Sequence, residues 1–373
     1  MKVNFYTSKR EYENKKNEFD SAIGNVLKNG ITTLGKEVAV FEDEVSKFTG
    51  AKYAVGVASG TDALVITSDI LGFKEGKEVI TSPFTFLASA SCIAKNGGKP
   101  VFVDIDEETF NIDVNKIEER ITQNTVGIIP IHLFCQMADM DKIMEISQKY
   151  GLKVLEDAAE AFGMRWLGKS GVPRHSGTIG DYGIFSFFPT KTLGAYGDGG
   201  MIVTNDSALA RLAKCYRVHG ATGKYHYEYL GYNSRLDTIQ AAVLSVKLKY
   251  INDAILKRER IAKWYRERLK GCDAIRLPIV KGNQKPVYYV FNILARDRDG
   301  LVAKLRENEI GFSIYYPLPL HLQKCFSYLG YKKGDFPVAE RVSKEILALP
   351  IYPELTEDEV DYVCQTIIKF YKK

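Results

Sequence analysis

Apolar positions recur at helical spacing early in the chain: Val38, Phe41, Val45 and Phe48 are three or four residues apart and predict an amphipathic helix over 36–49, with another over 17–29. The period then changes. Short β-rich runs at Tyr53–Val57, Glu78–Thr81, Pro100–Ile105, Val126–Ile131, Lys153–Glu156, Gly183–Phe187 and Met201–Thr204 alternate with helical stretches. Near-continuous apolar strands separated by helices describe an α/β fold whose largely parallel, seven-stranded sheet is covered on both faces. From Leu236 to Leu269 the pattern is one of long helices, marked by Ile251, Ile255, Ile261 and Trp264. A strand at Val287–Leu294, a helix near Gly300–Asn308, the segment Phe312–Tyr316 and a final helix from about Glu357 complete the chain. This predicts a large α/β domain over 1–250 and a smaller α+β domain over 251–373. A length of 373 residues fits two cores, since single cores stop growing at roughly 250–300 residues.

Composition narrows the function classes. With 45% hydrophobic and 26% charged residues the chain is globular, and it lacks the run of about 20 apolar residues that a membrane span requires. No apolar segment follows the N-terminal Met-Lys-Val-Asn-Phe-Tyr, so a cytoplasmic location is expected. The six cysteines form no C-x-x-C and the five histidines show no metal-gripping spacing, which predicts free thiols and no metal site. A net charge of +5 is not gathered into one block; Lys257-Arg258-Glu259-Arg260 is interrupted by acid, so no nucleic-acid partner is expected. A mildly positive cleft would suit a phosphate-bearing substrate.

Ligands of parallel sheets bind outside the carboxyl ends of the strands. Ser59-Gly60-Thr61-Asp62 follows a strand and opens a helix, so the amides of Gly60 and Thr61 offer an anion site, although the same residues could be a simple cap. Val154-Leu155-Glu156-Asp157 ends an apolar run in acid. Asp157 is then either a helix cap or the partner of a cation such as a protonated pyridine nitrogen. Lys191 follows the aromatic strand Gly183–Phe188 and precedes the glycine-rich Gly194–Gly200. Apolar surroundings should lower its pKa and free a neutral amine for imine chemistry. A phosphate cradle, an acid at a strand end and such a lysine, in this order, are the parts of a pyridoxal phosphate (PLP) site.

The motifs in sequence are Gly30-Ile31-Thr32-Thr33-Leu34-Gly35, Ser59–Leu64, Pro83-Phe84-Thr85-Phe86, Glu156-Asp157-Ala158-Ala159-Glu160, Ser186-Phe187-x-x-x-Lys191, Gly197–Gly200, Gly231–Arg235, Tyr316–His321 and Leu349–Pro353. In that order and over nearly the whole chain they resemble the DegT/DnrJ/EryC1/StrS sugar aminotransferases, which have the aspartate aminotransferase fold. The resemblance implies PLP as cofactor, with Lys191 as Schiff-base lysine and general acid/base, and Asp157 as partner of the pyridine nitrogen. It further implies that Gly60, Thr61 and Ser186 hold the phosphate, that Phe86 stacks on the ring, and that Asn233 reaches across a homodimer with shared active sites. Tyr196, Tyr316 and His321 are candidate sugar or nucleotide contacts. The implied reaction moves an amino group, by family habit from L-glutamate, onto a nucleotide-linked keto-sugar. Carbon 3 of a dTDP-3-keto-6-deoxyhexose is the nearest match and carbon 4 of a UDP- or GDP-sugar the alternative, in supply of a deoxyamino sugar to a lipopolysaccharide or S-layer glycan. Lys191 argues against a sugar dehydratase, which carries histidine there, and no DNA-binding segment precedes the fold as a non-catalytic regulator would require. At position 160 many members have glutamine. Glu160 is expected either to carry a proton and donate to the PLP ring oxygen in its place, or to turn away toward solvent or a basic side chain. Cys135 stands where glycine is common and reads as a tolerated loop change.

Overall fold

The structure, a computed structural model, describes residues 1–372. Three helices open the chain, α1 (Lys9–Asn14), α2 (Lys16–Asn29) and α3 (Lys36–Thr49). The last two stop at Gly30 and Gly50, whose φ of 70° and 80° lie in the left-handed region that glycine adopts without a Cβ penalty. Seven strands follow: β1 (Tyr53–Val57), β2 (Glu78–Thr81), β3 (Lys99–Phe102), β4 (Thr125–Ile128), β5 (Lys153–Asp157), β6 (Tyr182–Ser186) and β7 (Gly200–Thr204). They form one sheet in the order β1-β7-β6-β5-β4-β2-β3. Only β7 runs against its neighbours β1 and β6; the remaining pairs are parallel. The carboxyl ends of β1, β5 and β6 therefore lie along the same edge.

Successive residues of each strand point to opposite faces, and here both faces are buried. Val154, Phe185 and Met201 pack with Val38, Phe41 and Val45 of α3 on one side. Their neighbours Leu155, Ile184 and Ile202 pack on the other with Leu64 and Ile66 of α4 (Gly60–Ile70). That two-sided burial is why the runs read as nearly unbroken apolar sequence.

Helix α5 (Ala88–Lys95) covers the far end of the sheet, α6 (Met140–Tyr150) precedes β5, and α7 (Ser207–Tyr216) follows β7. Helices α8 (Thr238–Leu248) and α9 (Ile251–Leu269) lead to an antiparallel sheet ordered Ile275–Arg276, Phe291–Ala295, Ile346–Leu349. Ile261, Tyr265 and Leu269 of α9 share a core with Phe291, Ile293, Leu347 and the final helix, Glu357–Tyr371, through Val360, Val363 and Ile367. Val3 joins this core, bridging to Ile310, so the first residues pack on C-terminal structure. No helix among the described residues is long and apolar enough to cross a membrane.

Candidate active site

A cavity of about 420 Å³ opens at the carboxyl edge of the large sheet. Ser59, Gly60 and Thr61 line it from the start of α4, Phe86 from the turn before α5, Asp157 and Glu160 from the end of β5, and Ser186 and Lys191 from the end of β6. Tyr289, Tyr315 and Tyr316 close it from the C-terminal part of the chain. Six of the residues singled out in the sequence for a cofactor thus share one cleft with Lys191.

The phosphate-sized end is set by close backbone approach. Ser59 caps α4, its side chain accepting from the Asp62 amide at 3.0 Å. The amides of Gly60 and Thr61 meet no acceptor among the described residues and stand at the positive end of the helix. A Cβ on Gly60 would lie 2.8 Å from Cβ of Ser186, and one on Gly200 would lie 2.4 Å from the Ser59 backbone. Glycine at both positions lets the helix start, β6 and β7 converge. Ser234 braces this loop: its hydroxyl accepts from the Ala58 amide at 3.1 Å and donates to Asp62 at 2.7 Å.

Asp157 is buried at the sheet edge. Its Oδ2 accepts from the Ser89 hydroxyl at 2.7 Å and its Oδ1 from the Ala159 amide at 3.2 Å. Ser89 also contacts Thr85 Oγ1 at 2.9 Å. Burial raises the pKa of Asp157, opposed chiefly by the Ser89 bond and then by the Ala159 amide and Lys191. The adjoining Glu156 points the other way, into the core. It accepts from His132 Nε2 at 2.8 Å and from the amides of Gly177, Ile179 and Gly180. The Ala138 amide donates to His132 Nδ1, so the ring proton sits on Nε2. Burial pushes Glu156 up, but His132 and the amides outweigh it and the net direction is down.

Lys191 corrects one expectation. Burial alone would lower its pKa, yet the Glu160 carboxylate 3.2 Å from Nζ and the hydroxyl of Tyr289, whose ring lies 4.2 Å away, together outweigh burial, and the net direction is up. Glu160 has the geometry of the second of its two readings. Its Oε1 accepts from Lys191 and its Oε2 from the Phe134 amide at 3.1 Å. The basic side chain to which Glu160 turns is the site lysine itself.

Phe86 is 59% exposed on the cleft, an aromatic face with no ring partner of its own among the described residues. Tyr316 is in the cleft, packed against Phe84 and Phe134. Three sequence candidates are not brought there. Tyr196 faces inward, its amide bonded to Gln240 and its ring 5.2 Å from Phe19. His321 is buried against Phe336 and Glu340. Asn233 is exposed, outside this cavity's lining. Conversely, Ser89, Thr85, Tyr289 and Tyr315 were not foreseen. Ser89 lies three positions past Phe86, one helical turn along and within reach of a neighbour's ligand, whereas nothing local marks Tyr289. Cys135 is buried with its pKa pushed up to about 12 by desolvation, which suits an inert loop residue. No cluster of metal-ligating side chains occurs among the described residues.

These residues fit PLP. The glycine-walled cradle presents free amides for a phosphate, Asp157 offers a carboxylate to a pyridine nitrogen, Phe86 offers a ring face, and Lys191 supplies the amine. The fold and site are those of a PLP-dependent aminotransferase. Residues 13–368 match the DegT/DnrJ/EryC1/StrS aminotransferase family, and the chain belongs to it. It is 44% identical over 374 residues, 100% of this chain and 99% of the other, to a Geobacillus stearothermophilus protein called pleiotropic regulatory protein. It is 40% identical to the UDP-N-acetyl-3-dehydro-alpha-D-glucosamine 3-aminotransferase of Acidithiobacillus ferrooxidans, over 94% of this chain and 93% of that one. Identity is also 40% to the dTDP-3-amino-3,6-dideoxy-alpha-D-galactopyranose transaminase of Aneurinibacillus thermoaerophilus, over 95% of each. Among solved structures, DesV of S. venezuelae in complex with a ketimine intermediate superposes with a TM-score of 0.96 at 35% identity, over 100% of this chain and 99% of that one.

Proposed function

We propose that the enzyme transfers an amino group from L-glutamate to carbon 3 of a nucleotide-linked 3-keto-sugar, a dTDP-3-keto-6-deoxyhexose as the first substrate to test. The observation that carries the reaction type is the meeting of Lys191, Asp157 and the Gly60–Ser186 cradle in one cleft. Carbon 3 is supported by the names of the dTDP- and UDP-sugar relatives, which share that position and differ in nucleotide. A UDP-linked 3-keto-sugar is accordingly the second reading.

PLP, when bound, supplies an electron sink that stabilises negative charge at the carbon losing or gaining a proton. The Gly60 and Thr61 amides and the Ser186 hydroxyl would bind its phosphate, Phe86 would stack on its ring, and the Asp157 carboxylate would hold a proton on the pyridine nitrogen. Lys191 Nζ carries protons between donor or sugar carbon and solvent. Tyr289, Tyr315 and Tyr316, from the proposed small domain 251–373, shield that transfer from water against the cofactor-bearing domain 1–250. Exposed Asn233 is free to complete the phosphate site of a second copy in a homodimer. A regulatory role without chemistry would leave unused Lys191 and Asp157, which line one cleft.

The test is an assay of L-glutamate with a panel of dTDP-, UDP- and GDP-linked 3- and 4-keto-sugars, reading 2-oxoglutarate and the amino-sugar mass. Turnover restricted to 3-keto-sugars supports the proposal. Turnover restricted to 4-keto-sugars, or none with any keto-sugar while PLP is bound, refutes it.

A further inference from the structure

The acid at position 160 has a partner that a glutamine there could not charge-pair. Glu160 is buried at 7% exposure, its Oε1 lies 3.2 Å from Lys191 Nζ, and its Oε2 is fixed by the Phe134 amide. The amide anchor aims the other oxygen at the lysine. We propose that Glu160 is a further catalytic residue, which takes the proton of the Lys191 ammonium and returns it, so that Lys191 alternates between stored acid and free amine. This rests on the assignment of Lys191 as the PLP lysine.

The step moves one proton. The ammonium N–H bond breaks, an O–H bond forms on Glu160 Oε1, and a neutral amine faces a neutral carboxylic acid; the reverse step restores the ion pair. Only the neutral amine has the lone pair needed to attack a carbonyl carbon or abstract a proton. The other groups facing Nζ do not offer the same exchange. Tyr289 lies with its ring 4.2 Å from Nζ and its hydroxyl also holds the ammonium, but it brings no carboxylate to take the proton. Asp157 acts on Lys191 through space, its hydrogen bonds going to Ser89 and Ala159 and not to Nζ. Tyr315 and Tyr316 are held neutral, both raised by burial first, Tyr315 then by Tyr289 and Tyr316 then by Glu160. Glu160 is the charged group in hydrogen-bond contact with Nζ, and replacing it by an isosteric amide leaves Lys191 with burial as the dominant influence, which favours the neutral amine.

The experiment uses the full chain stripped of cofactor and follows growth of visible absorbance after PLP is added, across pH, for the native chain, Glu160→Gln and Glu160→Asp. In the native chain capture should vary little with pH near neutrality, because the ion pair and the amine–acid pair hold the same number of protons and their ratio does not depend on pH. In Glu160→Gln the ammonium must lose its proton to solvent, so capture should accelerate about tenfold per pH unit below the lysine pKa and level off above it. Its turnover by L-glutamate should fall as well, for want of the acceptor. Glu160→Asp should keep the native-like slope. Superimposable capture profiles for the native chain and Glu160→Gln would overturn the proposal. Absence of visible absorbance in all three would overturn the cofactor role of Lys191, and the proposal with it.

Discussion

Ser89→Ala isolates the support of the buried acid at the sheet edge. It removes the hydroxyl that donates to Asp157 Oδ2 at 2.7 Å and leaves the Ala159 amide, at 3.2 Å, as the remaining donor. A hydrogen bond to a charged group contributes roughly 1.5–3 kcal/mol. Since about 1.4 kcal/mol is tenfold in an equilibrium constant, the ionisation of Asp157 should move roughly ten- to a hundredfold toward the acid form. Burial already holds Asp157 above the usual carboxylate range, so the change works in the same direction. An acid whose folded pKa is raised binds more protons folded than unfolded. Its favourable contribution is complete below the unfolded value of 3.8 and is lost as pH rises through the folded value. Cofactor-free Ser89→Ala should therefore be less stable than the native chain near neutral pH and nearly equal to it in strong acid. With PLP, the pyridine nitrogen loses its anionic partner first on the acid side. Titrating PLP into the stripped protein by absorbance at successive pH values should show the acid limb of affinity displaced upward in Ser89→Ala and retained in Ser89→Thr. Coincident acid limbs for the native chain and Ser89→Ala would refute the reasoning.

Lys191→Ala should still bind PLP through the cradle and Asp157 yet transaminate about 10²–10⁴-fold more slowly; borohydride reduction of the native holoenzyme followed by peptide mapping should place the label on Lys191. Gly60→Ala puts a methyl 2.8 Å from Ser186 Cβ, an overpacking of about 1–3 kcal/mol, and should weaken PLP far more than phosphate-free pyridoxal when both are titrated. Mixing Lys191→Ala with Asn233→Ala chains should restore part of the lost activity, because one of the two sites in a mixed dimer would carry neither lesion. Demonstrated subunit exchange without recovered activity would remove Asn233 from the partner's site.

The central strands were legible because each is buried on both faces, and β1 and β2 begin and end where their apolar runs do. The third run overshoots. The Val103 amide still bonds the Thr81 carbonyl, but Asp104 then leaves the ladder to accept from the amides of Val338 and Ala339, capping a helix some 235 positions away. A β-rich composition carries no signal of that. The bridge from Val3 to Ile310 is hidden for the same reason. Tyr196 misled in the opposite way: in a glycine-rich loop beside the lysine it resembled a substrate contact, whereas the Tyr196 amide is tied to Gln240 and its ring is drawn into the packing around Phe19.

The hardest part of the site to read lay within the five residues Glu156–Glu160, where three carboxylates stand almost side by side. Glu156 and Asp157 are successive strand residues and must face opposite sides of the sheet, which separates a core acid from a cleft acid before any partner is known. What each does then depends on donors brought from elsewhere. His132 and three loop amides hold Glu156 as a structural anion, and Ser89 steadies Asp157 against burial. Glu160, beyond the strand, is reached by Lys191 from the end of β6. Because β5 and β6 are parallel neighbours, their carboxyl ends deliver an acid and an amine to the same edge. The adjacency that lets Lys191 stand beside Asp157's cleft is also what supplies it with a proton acceptor. A single substitution at position 160 can thus alter the charge state of the lysine without disturbing either the strand or the cradle, and the acid at that position is a change to the chemistry of the site more than to its architecture.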